Sequence, residues 1–310
     1  MSNVTYVDLH THSTASDGTY APADVVRLAA ARDLSALALT DHDTVNGVAE
    51  AAAAAAEVGI DFLAGIEISA EYPHPGTMHI LGYGIDPASP VLRSLTATLL
   101  GGRDDRNPKI IAKLQAAGVA ITMVEVEAEA KVVKPDPATA DAGGGAGGEP
   151  AQKKPIGRPH IAAVLLRKGY VGTIKEAFDK YLAPGGLAYF DKERLSPRTA
   201  LQMIRDSGGV AVLAHPVQLR TTNDAQLETV LKDLVDHGLG GLETIHSDHD
   251  AAHVEQYTAL ADRFGLVTTG GSDFHGTNKK DIHLGAARGG RRVPRAFYEK
   301  LRARVEAGRG

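Results

Sequence analysis

Short apolar runs alternate with amphipathic segments along most of the chain. Residues 4–9, 34–40, 60–68 and 77–85 have strand-like apolar patterning, as do 209–214, 239–245 and 265–269 later on. Helical patterns lie between them. Pro22 stands where a helix begins, and Val25, Val26, Leu28 and Ala29 give it an apolar face. An alanine-rich helix is expected over 47–58, stopped by Gly59, with further helices over 197–206 and 251–264. Strand followed by helix, repeated, predicts parallel βα units and an α/β fold.

The middle of the chain breaks this rhythm. From about residue 90 to 181 the pattern is helical with little strand signal. Inside it, 131–155 is a low-complexity stretch with Pro135, Pro137 and Pro150 around a glycine run, and is expected to be a flexible loop. The expected organisation is a barrel whose first part is 1–100 and second part 191–310, interrupted by a helical insertion, a cap, over 101–190.

Composition removes several chemistries. Lys and Arg number 33 against 38 Asp and Glu, so no basic excess favours non-specific binding to nucleic acid. The chain has no Cys, hence no disulfide, thiolate ligand or thiol nucleophile. It has no Trp and few aromatics, against a stacking platform for long single strands. The first five residues are polar and no apolar run is long enough to span a bilayer, which gives the expectation of a cytoplasmic protein without membrane association. What remains conspicuous is 13 His beside abundant carboxylates, a donor set for Mn, Fe or Zn.

These donors sit where strands end. His10-Thr11-His12 follows the first apolar run, with Asp17 just beyond, and Thr40-Asp41-His42-Asp43 follows the second. Glu67 follows the third, His79 opens the next, and His215, His246 and the segment Ser272-Asp273-Phe274-His275 follow the last three. In an α/β barrel the strand ends converge on one face, so donors scattered from 10 to 275 can meet. His10 and His12, two apart on an extended chain, project to the same side. Asp41 and Asp43 are expected to cap loops or to orient an imidazole. His74, His237 and His253 are expected to be surface residues.

Together, His10-Thr11-His12-Ser13, Thr40-Asp41-His42-Asp43, Gly65-Ile66-Glu67, His79-Ile80-Leu81-Gly82-Tyr83, Leu213-Ala214-His215-Pro216 and Gly271-Ser272-Asp273-Phe274-His275-Gly276 resemble the polymerase-and-histidinol-phosphatase (PHP) family. The resemblance implies a distorted (β/α)7 TIM-like barrel, two or three divalent metals, manganese first with Fe or Zn as alternatives, and phosphoesterase activity. It implies three metal sites: His10, His12, Glu67 and Asp273; Glu67 with His79 and His215; and Asp17, His42 and His275. Glu67, His215 and Asp273 are read as catalytic through the metals, with a metal-bound hydroxide attacking phosphorus.

The insertion narrows the resemblance. Arg106-Asn107, Ile121-Thr122-Met123, Ile156-Gly157-Arg158-Pro159-His160-Ile161-Ala162 and Tyr181-Leu182 resemble the PHP subfamily of nucleotide and oligonucleotide phosphoesterases. That implies release of the 3′-phosphate of 3′,5′-nucleoside bisphosphates, giving AMP from pAp, with trimming of short RNA from its 5′ end as a further activity. Arg158 and His160 are expected to bind substrate phosphate, and His246 to reach the rim. Arg158 in an ion pair and His160 as a helix-start residue are the structural alternatives. A histidinol-phosphate or other small-molecule phosphatase, a metal-dependent lactonase or amidase, and a non-catalytic metal-binding module are the competing classes. No stable protein partner is inferred.

Overall fold

The structure is a computed structural model and describes residues 5–130, 156–190 and 194–309. The segment expected to be a flexible loop, 131–155, lies outside the described residues. The chain divides into two compact units, residues 1–96 with 194–310, and residues 97–193.

The first unit is a nearly closed barrel of eight strands. β1 (Tyr6–Asp8), β2 (Leu34–Leu39), β3 (Asp61–Ala70), β4 (Met78–Tyr83), β5 (Val210–Leu213), β6 (Gly241–Ile245) and β7 (Val267–Gly270) are neighbours in chain order, and β8 (Val293–Pro294) flanks β1. The order is that of a wound α/β barrel. Past β7 the circle is joined by single backbone contacts rather than a ladder: the N–H groups of Leu9 and His12 donate to Gly270 and Phe274 carbonyls, and Asp273 N–H donates to His10 O.

The expectation of uniformly parallel units needs correction. β1, β2 and β3 are parallel, as are β5, β6 and β7, but β4 is antiparallel to both β3 and β5. Only residues 71–77 separate β3 from β4. A parallel crossover needs a dozen or more residues, so the chain can only turn back. The reversal has a functional consequence: the start of β4, carrying His79, falls on the same rim as the ends of its neighbours. β3 pairs with β2 through Ala64 and with β4 from Gly65 onward, so Glu67 lies inside the strand.

Alternation along β2 divides the core. Ala36 and Ala38 join Val7, Leu9, Leu81, Tyr83 and Val212 in one buried cluster. Leu37 and Leu39 face the other way and pack with residues of α1 (Pro22–Ala31) and α2 (Val48–Val58). Gly59 ends α2 with φ of 75°, the left-handed conformation that the glycine stop anticipated. Tyr83 donates its hydroxyl to Leu9 O at 2.7 Å inside the barrel. The last helix, α10 (Arg295–Gly308), buries Tyr298, Leu301 and Val305, and Arg309 just after it donates to Gly84 O at the end of the barrel opposite the histidines.

The second unit has a core of its own. It is built from Ile110, Leu114, Ile121, Val126, Ile161, Leu165, Tyr181 and Leu182 among others. Its helices are the later part of α3 (Pro90–Ala116), α4 (Met123–Ala130), α5 (Arg158–Arg167) and α6 (Ile174–Ala177). Among the described residues, no helix is long and apolar enough to cross a membrane.

Gly271 marks a tight approach at the rim. A Cβ there would lie 2.4 Å from both the Cβ and the backbone N of His10. Gly271→Ala is therefore expected to destabilise the fold by about 1–3 kcal/mol, as overpacking does. Urea unfolding of the two proteins measures it, and an unchanged midpoint would show that the β1–β7 junction yields freely.

Candidate active site

Nine sequence-selected residues meet on this rim, gathered around Glu67. The Glu67 carboxylate is buried and its two oxygens face different imidazoles. Oε1 lies 2.8 Å from His79 Nδ1 and 3.0 Å from His215 Nε2. Oε2 lies 2.9 Å from His42 Nδ1, 3.3 Å from His12 Nε2 and 3.4 Å from His10 Nε2. Asp273 Oδ1 completes the His10–His12 side, 3.2 Å from His12 Nε2 and 3.6 Å from His10 Nε2. His275 Nε2 is 3.3 Å from Asp17 Oδ1, and His12, Asp17, His42 and His275 each offer a donor atom within 4.8 Å of the others.

Among the described residues five non-glycine positions have positive φ, and three of them lie in or beside this cluster, each held by a hydrogen bond. His215, with φ of 23°, donates its N–H to Glu243 Oε2 at 2.7 Å. Asp273, with φ of 59°, donates to His10 O, and Asp43, with φ of 55°, donates to Glu67 O, both at 2.9 Å. Non-glycine residues in this region persist only where surrounding contacts over-determine them, commonly at functional sites.

Asp41 and Asp43 turn out to pin loops. Asp41 accepts from Ser13 N–H, Ser13 Oγ and Ser16 Oγ, and Asp43 accepts from Ser69 N–H. The carboxylate that orients an imidazole is Glu243, which sequence reasoning missed. Its Oε1 accepts from His10 Nδ1 at 2.9 Å, so the His10 lone pair is on Nε2, facing Glu67 and Asp273. Asp8, also missed, accepts from Ser272 N–H and Oγ and from Gly285 N–H, joining β1 to the segment after β7. The signal for both was present: one acidic residue in an otherwise apolar strand.

His246 is buried beside this cluster. Its Nδ1 accepts from Asp248 N–H at 3.0 Å and its Nε2 faces Asp273 Oδ2 at 3.5 Å. His249 is buried too, with Asp250 behind it capping α9 (Ala251–Phe264). Arg158 and His160 belong to the other unit. Arg158 donates to Leu182 O at 2.9 Å and lies over the Tyr189 ring, and His160 Nδ1 accepts from Gly157 N–H at the start of α5. The alternative reading of His160, a residue of the helix start, thus has a concrete contact.

Burial and mutual charge set the protonation states. Burial pushes the Glu67 carboxyl up, but His42, His79 and His10 outweigh it and hold it well below the usual range. Asp273 is likewise lowered against burial, by Lys279 and His275, and Glu243 is brought to about 2 against burial by His10 and His246. Burial lowers His42 to about 4, leaving it neutral with a lone pair to give.

The donors fit metal ions. His10 Nε2, His12 Nε2, His79 Nδ1 and Glu67 Oε2 are buried with no hydrogen-bond partner among the described residues. Leaving each so would cost about 1–3 kcal/mol, a penalty that a bound cation removes. Atoms that coordinate one ion at about 2.0–2.2 Å stand roughly 3–3.5 Å apart, and the two imidazoles of His10 and His12 lie 3.2–3.6 Å from the carboxylates of Glu67 and Asp273.

A barrel with a rim of imidazoles and carboxylates, free of thiolate, defines a metal-dependent hydrolase. A PHP domain model matches residues 8–131. The 3′,5′-nucleoside bisphosphate phosphatase of Chromobacterium violaceum is 35% identical over 96% of this chain and 97% of its own length. A phosphoribosyl 1,2-cyclic phosphate 1,2-diphosphodiesterase of Eggerthella lenta is 32% identical over 90% of this chain and 97% of its own. A 5′-3′ exoribonuclease of Haemophilus influenzae is 33% identical over 86% and 89%. Among solved structures, one described as a metal-dependent phosphoesterase, from Bifidobacterium adolescentis, superimposes with a TM-score of 0.80 at 29% identity, covering 97% of this chain and 96% of that one. The chain belongs to the PHP family and is a metal-dependent phosphoesterase, a hydrolase of phosphate esters.

Two outcomes are expected. Burial opposes charge on His12, but Asp273 and Glu67 raise its pKa to about 9; against the same burial, Glu243 and Glu67 raise that of His10 well above the usual value. Raised histidine pKa values stabilise the metal-free fold fully below about pH 6.5, and this is lost as pH rises through about 9. The Tm of chelator-treated protein should therefore fall between pH 6.5 and 9.5, and an unchanged Tm would refute the protonation scheme. Glu243→Gln should weaken Mn binding about ten- to a hundredfold with the fold retained, read by metal titration and circular dichroism.

Proposed function

We propose that the chain releases the 3′-phosphate of 3′,5′-nucleoside bisphosphates, converting pAp-type nucleotides to 5′-monophosphates, with two or three divalent ions of which manganese is the first choice. The observation that carries the metal part is the division of the Glu67 carboxylate, Oε1 toward His79 and His215, Oε2 toward His42, His12 and His10. A carboxylate so placed could serve two adjacent ions, one on each oxygen. Full-length similarity to a bisphosphate phosphatase supports the substrate.

His10, His12, Glu67 Oε2 and Asp273 Oδ1 would hold the first ion, and Glu67 Oε1, His79 and His215 the second. Asp17, His42 and His275 would hold a third. A histidine and carboxylate set without thiolate suits manganese, with iron or zinc also compatible. Bound divalent ions supply Lewis-acid stabilisation of the phosphoryl oxygens and a water acidified toward neutral pH.

The chain's own residues then do three things. Glu243 fixes the His10 ring through Nδ1 and the His215 backbone through its N–H, so both side chains are pre-oriented. Asp8, Asp41 and Asp43 fix the loops that present the donors. His215, with Nε2 3.0 Å from Glu67 Oε1, would serve as a ligand rather than a proton donor.

The test is a substrate panel with Mn-loaded protein: a 3′,5′-bisphosphonucleoside, histidinol phosphate, a 5′-phosphorylated RNA trimer and a lactone. Phosphate release fastest from the bisphosphate is expected, with none of the lactone opened. Preference for the trimer would move the reading to an exoribonuclease. Asp273→Ala should lose most of the rate together with bound Mn, measured by elemental analysis; wild-type turnover in this variant would refute the ligand assignment.

A further inference from the structure

Lys279 touches the cluster of candidate metal ligands. Its Nζ donates to Asp273 Oδ2 at 2.5 Å. The two oxygens of Asp273 are thereby separated in role. Oδ1 faces His12, His275 and His10 at 3.2, 3.4 and 3.6 Å. Oδ2 faces His246 Nε2 at 3.5 Å and the ammonium of Lys279. An ion held by Oδ1 does not displace the lysine, so both cations can act on Asp273 together.

The lysine is also positioned at a boundary. Its side chain is 41% exposed, whereas that of Asp273 is 10% exposed. The turn that carries it is anchored rather than free. Thr277 N–H donates to Thr19 Oγ1 at 2.9 Å, and Asn278 Nδ2 donates to Asp17 O at 2.8 Å. The positive charge is thus held at the rim by the segment that bears Asp17 and by Asp273 itself. An ammonium has three donors, and the contact with Asp273 uses one.

We propose that Lys279 is a substrate-binding residue of this site, its ammonium taking a phosphate oxygen of the incoming ester beside Asp273. This deepens the phosphoesterase reading and rests on it. A phosphate monoester dianion carries two charges, and an ion that takes up the charge of Asp273 leaves the ammonium's field available to an anion at the mouth. A compact, strongly hydrated point charge suits a phosphate that approaches from solvent. The same charge steers anionic substrates toward a rim otherwise crowded with carboxylates.

The competing role is structural, with Lys279 only orienting Asp273 for metal. Lys279→Met and Lys279→Arg separate the two. Each variant is loaded with Mn, its metal content and Mn affinity are measured, and inorganic phosphate is titrated into it by calorimetry. Turnover of p-nitrophenyl phosphate supplies KM and kcat. Lys279→Met is expected to keep wild-type Mn content and affinity while phosphate Kd and substrate KM rise about ten- to a hundredfold. Lys279→Arg should recover part of the loss, because charge returns in a different shape. Loss of Mn in Lys279→Met would overturn the proposal in favour of the orienting role. Unchanged phosphate affinity would overturn it in favour of a bare salt bridge. Failure of wild-type Mn-loaded protein to bind phosphate or to cleave any phosphate ester would instead refute the reading on which the proposal rests, and the proposal with it.

Discussion

A carboxylate buried among five imidazoles organises this molecule. Glu67 has His10, His12, His42, His79 and His215 within 3.4 Å. An ionised group in such a place is tolerable only if paired, and the pairing has to come from strands far apart in sequence. The barrel is the device that brings them together, and its irregularities follow from that task. β3 runs on past its parallel partner so that Glu67 is gripped on both sides by backbone pairing, to the Asp41 carbonyl and to β4. β4 reverses so that His79 arrives at the same rim.

Around that centre lies a shell of carboxylates with no metal to hold. Asp8, Asp41, Asp43 and Glu243 each accept from backbone N–H groups, and three of the four also accept from a serine hydroxyl. Their common effect is to convert loops after strands into fixed platforms. The strained residues His215, Asp273 and Asp43 lie on those platforms, and each is secured by a hydrogen bond, to Glu243, His10 and Glu67 respectively.

Much of this was legible in the sequence because it obeyed simple rules. Donors such as His42 and His215 follow apolar runs, and a barrel gathers strand ends. The α/β class and the glycine stop of α2 followed from periodicity. What was not legible depended on direction and neighbourhood. The antiparallel course of β4 was encoded in the brevity of 71–77, a spacing rather than a composition. Glu243 was hidden because an acidic residue inside an apolar strand has meaning only once His10 is known to lie opposite. Lys279 is one of two adjacent lysines in a polar turn, and nothing local distinguishes it from its neighbour. Arg158 and His160 carry local contacts, to Leu182 and Gly157, that a sequence motif does not reveal.

The junction between β1 and β7 has a thermodynamic consequence. It is made by isolated backbone contacts, and the proposed first-ion donors stand on both sides of it: His10 and His12 follow β1, and Asp273 follows β7. An ion spanning those donors would bind only the closed circle, and its concentration would then enter the folding equilibrium directly, as that of any ligand exclusive to the native state does. The joint that closes the barrel and the candidate site coincide, so an ion held there would also clasp the circle shut.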